Sequence, residues 1–447
     1  MFSRVLVANR GEIAVRVIRS LHELGIEAVA VYSTADRDAL HVRLADHAVC
    51  VGPPPAAESY LRIPSVVAAA ETTGCEAVHP GYGFLAENAA FAAACADNGL
   101  VFVGPPADVI ATMGDKIAAK QAMRAAAVPT VPGTEGATTI GAARAAAEEI
   151  GFPVLLKASA GGGGKGMRLV HAAVDLEDAF GTAASEAEAA FGDSTLYVEK
   201  ALVPARHVEI QVLCDSHGDV LTLGERECSI QRRHQKLIEE SPSAALTPEL
   251  REEMEAAAER ACRSVGYRNA GTFEFLLGPG GSFYFIELNA RLQVEHPVTE
   301  LVTGIDLVRE QLRVAAGERL AVSGRAPRRG HAIEIRLNAE DPDADFRPAP
   351  GRIADFRAPL GPGVRVDTFV EPGSAISPYY DSLIAKIVVW DADRAAAIAR
   401  AERVLGETVV DGIPTTRDLA LDVLASEAFR SGRYSTSTLE ELRAVTA

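Results

Sequence analysis

Apolar and polar positions follow two periods along this chain, and the change from one to the other marks its parts. Near the N-terminus the apolar runs R-V-L-V-A, E-A-V-A-V-Y-S, H-A-V-C-V-G and L-V-F-V-G, with E-A-V-H-P-G-Y-G among them, have the length and content of buried strands. Between the first two, Ile13, Val17, Ile18 and Leu21 recur at helical spacing over residues 11–24, and Gly25 closes the stripe. Strands alternating with helices predict a parallel sheet covered on both faces.

The pattern breaks at V-P-T-V-P-G (128–133), which reads as a hinge. An Ala-rich helix, F-P-V-L-L-K-A, a glycine run, M-R-L-V-H, a second Ala-rich helix and T-L-Y-V-E-K then form a small α/β lobe. Beyond it strands dominate: H-V-E-I-Q-V-L-C-D, G-D-V-L-T-L-G-E-R-E-C-S-I, H-A-I-E-I-R-L-N and L-I-A-K-I-V-V-W. The expected division is 1–129, 130–203 and 204–447, α/β at first and α+β in the C-terminal part.

E-L-N-A-R-L-Q-V-E (287–295) sorts by parity, with Glu287, Asn289, Arg291, Gln293 and Glu295 predicted on one side of an extended strand. Upstream, G-T-F-E-F-L-L, G-P-G-G and S-F-Y-F-I-E-L-N read as a hairpin. With Leu277 opposite Ser282, Glu274 and Glu287 become diagonal neighbours on one face, roughly 7–8 Å apart. Two bare charges at that distance repel by roughly 2 kcal/mol at an effective dielectric near 20. A hard cation reverses the sign, and Mg²⁺ accepts carboxylates together with substrate phosphates.

With 447 residues, 48% of them hydrophobic, the chain is long enough for two or three domains with their own cores. A net charge of −17 argues against nucleic acid as a partner, since phosphate-backbone affinity needs clustered Lys and Arg. No apolar run approaches the ~18 residues of a membrane span, and M-F-S-R-V-L-V-A-N-R is too short for a signal sequence. The six cysteines show no C-x-x-C pair and read as reduced thiols of a cytoplasmic protein.

The glycine run S-A-G-G-G-G-K-G-M (159–167) fails two known patterns. A strand-like segment follows it where a dinucleotide fingerprint needs a helix, and Gly166 follows Lys165 where a P-loop needs Ser or Thr. It predicts a flap at a hairpin tip whose backbone amides close over phosphates. Lys157 on the strand before it and Lys116 after M-G-D are candidate phosphate charges.

These motifs, in this order, resemble biotin carboxylase, the ATP-grasp component of biotin-dependent carboxylases. The resemblance rests on A-N-R-G-E-I-A, H-P-G-Y-G-F-L-A-E-N (79–88), M-G-D-K (113–116), K-A-S-A-G-G-G-G-K-G-M-R (157–168) and R-H-V-E-I-Q-V (206–212). It continues through E-R-E-C-S-I-Q-R-R-H-Q-K (225–236), F-I-E-L-N-A-R-L-Q-V-E-H-P-V-T-E (285–300) and E-I-R-L-N-A-E-D-P (334–342). It implies an ATP-grasp fold with an N-terminal Rossmann-like domain and a mobile lid lobe. Lys116, Lys157, Gly162, Gly163, Gly164 and Met167 would contact ATP, Glu199 with the backbone at Lys200 and Leu202 would hold adenine, and His207, Gln231 and His234 would meet ribose or phosphate. Glu274, Glu287 and Asn289 would bind two Mg²⁺ or Mn²⁺ ions. Arg291, Gln293, the Val294 amide and Lys236 would hold bicarbonate, Glu295 would be the general base, and Tyr82 and Arg336 would meet biotin. Glu295, Arg336, Lys236 and Arg291 form the implied catalytic set.

The implied reaction carboxylates biotin on a carrier protein through carboxyphosphate, as the first half-reaction of an acetyl-CoA or acyl-CoA carboxylase. It implies a homodimer, a carboxyltransferase partner and no membrane. Ala290 departs from the small hydroxyl residue expected there. No A-M-K-M-type biotinyl segment is present, so the carrier is expected as a separate protein or as part of a longer polypeptide. The E-I-R-L-N pattern leaves two readings of Arg336 open, a biotin contact or a strand salt bridge with Glu334. Another ATP-grasp ligase joining a carboxylate to an amine, and a silent nucleotide-binding scaffold, are the rival readings.

Overall fold

The structure, a computed structural model, describes residues 1–134, 139–158 and 167–446. The glycine run 159–166, and with it the expected phosphate contacts of Gly162, Gly163 and Gly164, lies outside the described residues.

The N-terminal apolar runs form β1 (Arg4–Val7), β2 (Glu27–Ser33), β3 (His47–Gly52), β4 (Ala77–His79) and β5 (Val101–Phe102), all parallel, in the order β3-β2-β1-β4-β5. The helix Gly11–Glu23 buries Ile13, Val17, Ile18 and Leu21 as its spacing predicts. Strand order reverses between β1 and β4, and in such sheets the crevice beyond the strands' C-terminal ends at that switch is the place for a ligand. Asn9 closes it from below, its Nδ2 donating to Pro80 O and Tyr82 O, each at 2.7 Å.

The small lobe is a three-stranded antiparallel sheet, β7 (Met167–Val170), β6 (Val154–Ala158), β8 (Leu196–Lys200), with the helices Ile140–Ile150 and Leu176–Phe191. Ala143, Ala147, Val154, Leu156, Leu176 and Val198 form its core.

The third sheet has nine strands. Its order is β13 (Phe283–Asn289), β12 (Asn269–Leu277), β9 (Arg206–Cys214), β10 (Val220–Arg232), β11 (Gln235–Ser241), β15 (His331–Asn338), then Leu383–Asp391 and Val364–Thr368, with β14 (Gly324–Arg325) beside β10. The helix Pro248–Val265 covers part of one face. Thr247 caps its first turn, Pro248 starts it and Gly266 ends it at φ 63°, a left-handed angle that glycine adopts without steric cost.

β10 and β11 are joined by a two-residue turn, Arg233–His234, with φ of 47° and 69°. A tight hairpin of this geometry normally uses Asn and Gly, and each non-glycine residue held there costs on the order of 1–3 kcal/mol. No turn signal marks it in the sequence, so the residue pattern does not announce β11 as a separate strand.

β11 also carries one acid-sensitive contribution to the stability of the fold. Burial pushes the Glu240 carboxyl up, but the hydrogen bond and charge of His331 and those of Arg394 outweigh it and hold it at about 2. Its folded value lies below the unfolded one, so its contribution is present above about pH 4.3 and is lost as pH falls towards 2. The contribution is about 3 kcal/mol. Glu240→Gln is expected to be less stable than the parent at pH 7, with urea midpoints that converge on it towards pH 3. Parallel pH profiles for the two proteins would remove Glu240 from this role.

Candidate active site

The hairpin register differs from expectation in two steps. The turn runs longer, with Gly278 N donating to Ser282 O at 2.8 Å, and Leu277 pairs with Phe283 instead of Ser282. A one-residue bulge at Ile286 then shifts the ladder between Phe275–Phe285 and Glu274–Glu287. Glu274 and Glu287 are therefore directly opposite, not diagonal. Without the bulge Ile286 would face Glu274, an example of a bulge re-aiming a side chain beside a site.

The pair belongs to a longer row. Arg226 of β10 lies opposite Glu209 of β9, Glu209 opposite Glu274 of β12, and Glu274 opposite Glu287 of β13. Four strands thus place four charged residues on one line, three of them carboxylates at the strand spacing of roughly 4.8 Å. Like charges directly opposite are destabilising, so the inner acids need cations. Arg226, fully buried, donates to Glu209 and through Nη1 to Gln211 Oε1 at 2.7 Å and Thr299 Oγ1 at 2.9 Å. Lys236 Nζ lies 2.6 Å from Glu209 Oε2 and 3.0 Å from Glu274 Oε1, and it also bonds Glu295 Oε1. His207 Nε2 stands 2.9 Å from Glu274 Oε2. Burial pushes Glu274 up, but Lys236 and His207 outweigh it and hold it far below the carboxylate range.

Glu287, at the open end of the row, is exposed and accepts no hydrogen bond among the described residues. Its crowding by protein and the neighbouring Glu274 charge raise its carboxyl. A hard divalent cation fits this donor set: one free carboxylate, a second beside it, and the Asn289 amide, whose Nδ2 donates to Glu274 Oε1 at 2.9 Å.

The strand ends at Asn289, so the extended row to Glu295 does not form. Residues 290–295 are a loop leading into the helix His296–Thr303. Glu87 grips its start, accepting from Ala290 N and Arg291 Nε, each at 2.8 Å. Arg291 also reaches Gln293 Oε1 at 3.0 Å and Asn289 Oδ1 at 2.9 Å. The polar residues converge because the loop curls, not because they share a pleat. Ala290 packs among buried apolar residues, away from them.

Tyr82, Arg291, Gln293, Val294, Lys236, Arg336 and the expected nucleotide and metal residues described in the structure line one cavity of about 1340 Å³. Glu295 does not: it is fully buried behind its partners, Lys236 on one oxygen and Arg336 Nη2, at 2.8 Å, on the other. Burial is outweighed by Lys236, Arg336 and Arg226, and the carboxyl is held well below its ordinary value. Arg336 is not paired with Glu334; its Nε donates to Glu239 Oε1 at 2.6 Å, because Glu239 and Glu295 lie nearer its guanidinium end.

On the lobe side, Glu199 accepts from Lys157 at 2.6 Å and from Lys120, whose ammonium lies 5.0 Å over the Tyr197 ring. The Lys200 amide donates to Pro132 O at 2.8 Å, so it is taken, and its Nζ turns to Gly151 O and Phe152 O. Sequence reasoning missed Glu87, Lys120, Glu209, Arg226 and Glu239. Glu87, Glu209 and Arg226 stand inside the motifs that carry the resemblance, but their partners come from other strands and no local pattern points to them.

Three family models tile the chain: biotin carboxylase N-terminal domain over residues 1–110, carbamoyl-phosphate synthase L chain ATP-binding domain over 115–323, and biotin carboxylase C-terminal domain over 334–441. The biotin carboxylase of Nostoc sp. is 54% identical over 99% of both chains. That of Pseudomonas aeruginosa is 51% identical over 99% of this chain and 98% of its own. Among solved structures, the biotin carboxylase β,γ-ATP complex of Campylobacter jejuni superposes with a TM-score of 0.94 at 46% identity, covering 99% of each chain. The biotin carboxylase domain dimer of Hydrogenobacter thermophilus 2-oxoglutarate carboxylase, with MgADP and bicarbonate, gives 0.93 at 47% identity, covering 100% of this chain and 99% of its own. With family models along its length and end-to-end identity at this level, the chain belongs to the biotin carboxylase family.

Proposed function

We propose that this chain carboxylates biotin with ATP and bicarbonate, through carboxyphosphate, on a carrier protein or domain that passes the carboxyl group to a carboxyltransferase acting on acetyl-CoA or another acyl-CoA. The observation that carries the reading is the row of acids across β9, β12 and β13, with one end open and cations at the other, beside a loop rich in anion-binding groups.

Glu274 and Glu287, with Asn289 beside them, would hold Mg²⁺ or Mn²⁺, which when bound would supply positive charge to offset that of the nucleotide's phosphates. Lys116, Lys157 and Lys120 line the same cavity and add charge for the phosphates. Nucleotide binding then has to draw Lys157 and Lys120 from Glu199, the acid proposed to meet adenine.

Arg291, Gln293, the Val294 amide and Lys236 hold bicarbonate in line with the γ-phosphate. A bicarbonate oxygen attacks phosphorus, the bond to ADP breaks, and the bicarbonate proton goes to Glu295. Lys236, Arg336 and Arg226 around Glu295 make it a weak base. As anionic substrates draw Lys236 and Arg336 towards themselves, its proton affinity rises. Carboxyphosphate releases CO₂ and phosphate, the phosphate removes the biotin N1′ proton, and Arg336 stabilises the enolate that captures CO₂. Segment 130–203 is the lid in this reading, the assembly is a homodimer, and the compartment is the cytoplasm. No helix among the described residues is long and apolar enough to cross a membrane.

Free biotin is expected to raise bicarbonate-dependent ADP release by the purified protein severalfold. A rate indifferent to biotin overturns the reading in favour of a silent scaffold.

A further inference from the structure

On the face of the large sheet that carries Arg336, strand Leu383–Asp391 places Lys386 directly opposite it. The two cations hold consecutive residues of the anion-binding loop. Arg336 bonds the Glu295 side chain, and Lys386 Nζ donates to Val294 O at 3.0 Å. Lys386 is fully buried. Its other contacts are Glu12 Oε1 at 3.2 Å and Asp367 Oδ2 at 3.8 Å. Glu12, in the first turn of the helix Gly11–Glu23, also accepts the Tyr82 hydroxyl. The Tyr82 ring lies 5.9 Å below the ammonium.

Packing alone does not ask for an ammonium here. A buried cation is costly to desolvate, and an apolar side chain of the same length would fill the space. The charge is compensated through groups that each reach a different part of the site. One hydrogen bond fixes the loop whose amide faces bicarbonate, and the pair with Glu12 fixes the tyrosine at the mouth of the switch-point crevice. Loops leading to a helix are otherwise held by their own sequence, and this one has no glycine or proline between Asn289 and His296 to set its path.

We propose that Lys386 is a positioning residue that fixes the bicarbonate loop and the Tyr82 hydroxyl together, through Val294 O on one side and Glu12 on the other. This rests on the function proposed above, and the experiments separate the two.

Wild-type protein is measured first, because absent biotin stimulation there sinks the function itself. Lys386→Met keeps the stem and removes the charge. Its Michaelis constants for bicarbonate and free biotin are expected to rise about tenfold to a hundredfold, the scale of a lost hydrogen bond to a charged group. Its constant for ATP should stay within twofold, and Lys386→Arg should recover part of the loss. Glu12→Gln leaves Lys386 its bond to Val294 O but offers the tyrosine hydroxyl and the ammonium a neutral amide oxygen in place of the carboxylate, so it should raise the biotin constant and leave those for bicarbonate and ATP unchanged. A merely structural lysine predicts a lower active fraction with all three constants preserved. Bicarbonate and biotin constants unchanged in folded Lys386→Met overturn the proposal. If that variant does not fold, an unchanged biotin constant in Glu12→Gln overturns it, and the selective rise supports it.

Discussion

Glu295→Gln is expected to slow bicarbonate-dependent ATP cleavage by about 10²–10⁴-fold, the usual worth of a positioned general base, with ADP affinity retained. The carboxylate spans two cations, one on each oxygen. An amide keeps its shape but cannot take a proton, and its NH₂ end must face either Lys236 or Arg336. The groups proposed to bind nucleotide stand on other elements, such as Lys116 on a helix and His207 on β9, which is why binding should survive. The decisive comparison is kcat against ADP affinity by calorimetry. A rate within threefold of the parent would mean that bicarbonate loses its proton elsewhere, and a parallel loss of ADP binding would mean that Glu295 acts only by holding the two cations.

Much of this site is legible in the sequence, because strand periodicity and turn chemistry are local. The parallel N-terminal strands, the Gly11–Glu23 helix and the acidic hairpin follow from residue spacing alone. What local patterns do not contain is register. The bulge at Ile286 moves Glu287 by one position, and no composition signal distinguishes Ile286 as the extra residue. The Arg233–His234 turn is hidden for the opposite reason: its residues are poor turn formers held at positive φ by the strands they join. The parity of residues 287–295 predicts one polar face on a pleat, but the strand ends at Asn289 and a curled loop carries Arg291, Gln293 and Glu295, the last of them behind the cavity wall. Glu209, Arg226 and Lys386 are invisible as site residues because their partners come from neighbouring strands or distant segments. A buried charge in a strand reads as a solvated face until those neighbours are known.

Arg226 shows how much rests on such a residue. Arg226→Met is expected to destabilise the protein by about 3–5 kcal/mol, since removing one partner of a buried ion pair strands the other. It has no exposed surface, and Glu209, Gln211, Thr272 and Thr299 all face its guanidinium. Methionine fills the volume but leaves the Glu209 carboxylate with Lys236 and, at 3.9 Å, His207, and both of these already serve Glu274. The loss is comparable with the whole margin of roughly 5–15 kcal/mol by which a protein stays folded. Arg263→Ala, which removes an exposed i,i+4 partner of Glu259, is the matched control and should cost less than about 0.5 kcal/mol. Urea midpoints read by circular dichroism separate them. If Arg226→Met unfolds within 1 kcal/mol of the parent, the three carboxylates tolerate one another with fewer cations than the row implies. If it unfolds early and nucleotide still restores it, the same strands that build the site are the ones the guanidinium holds in register.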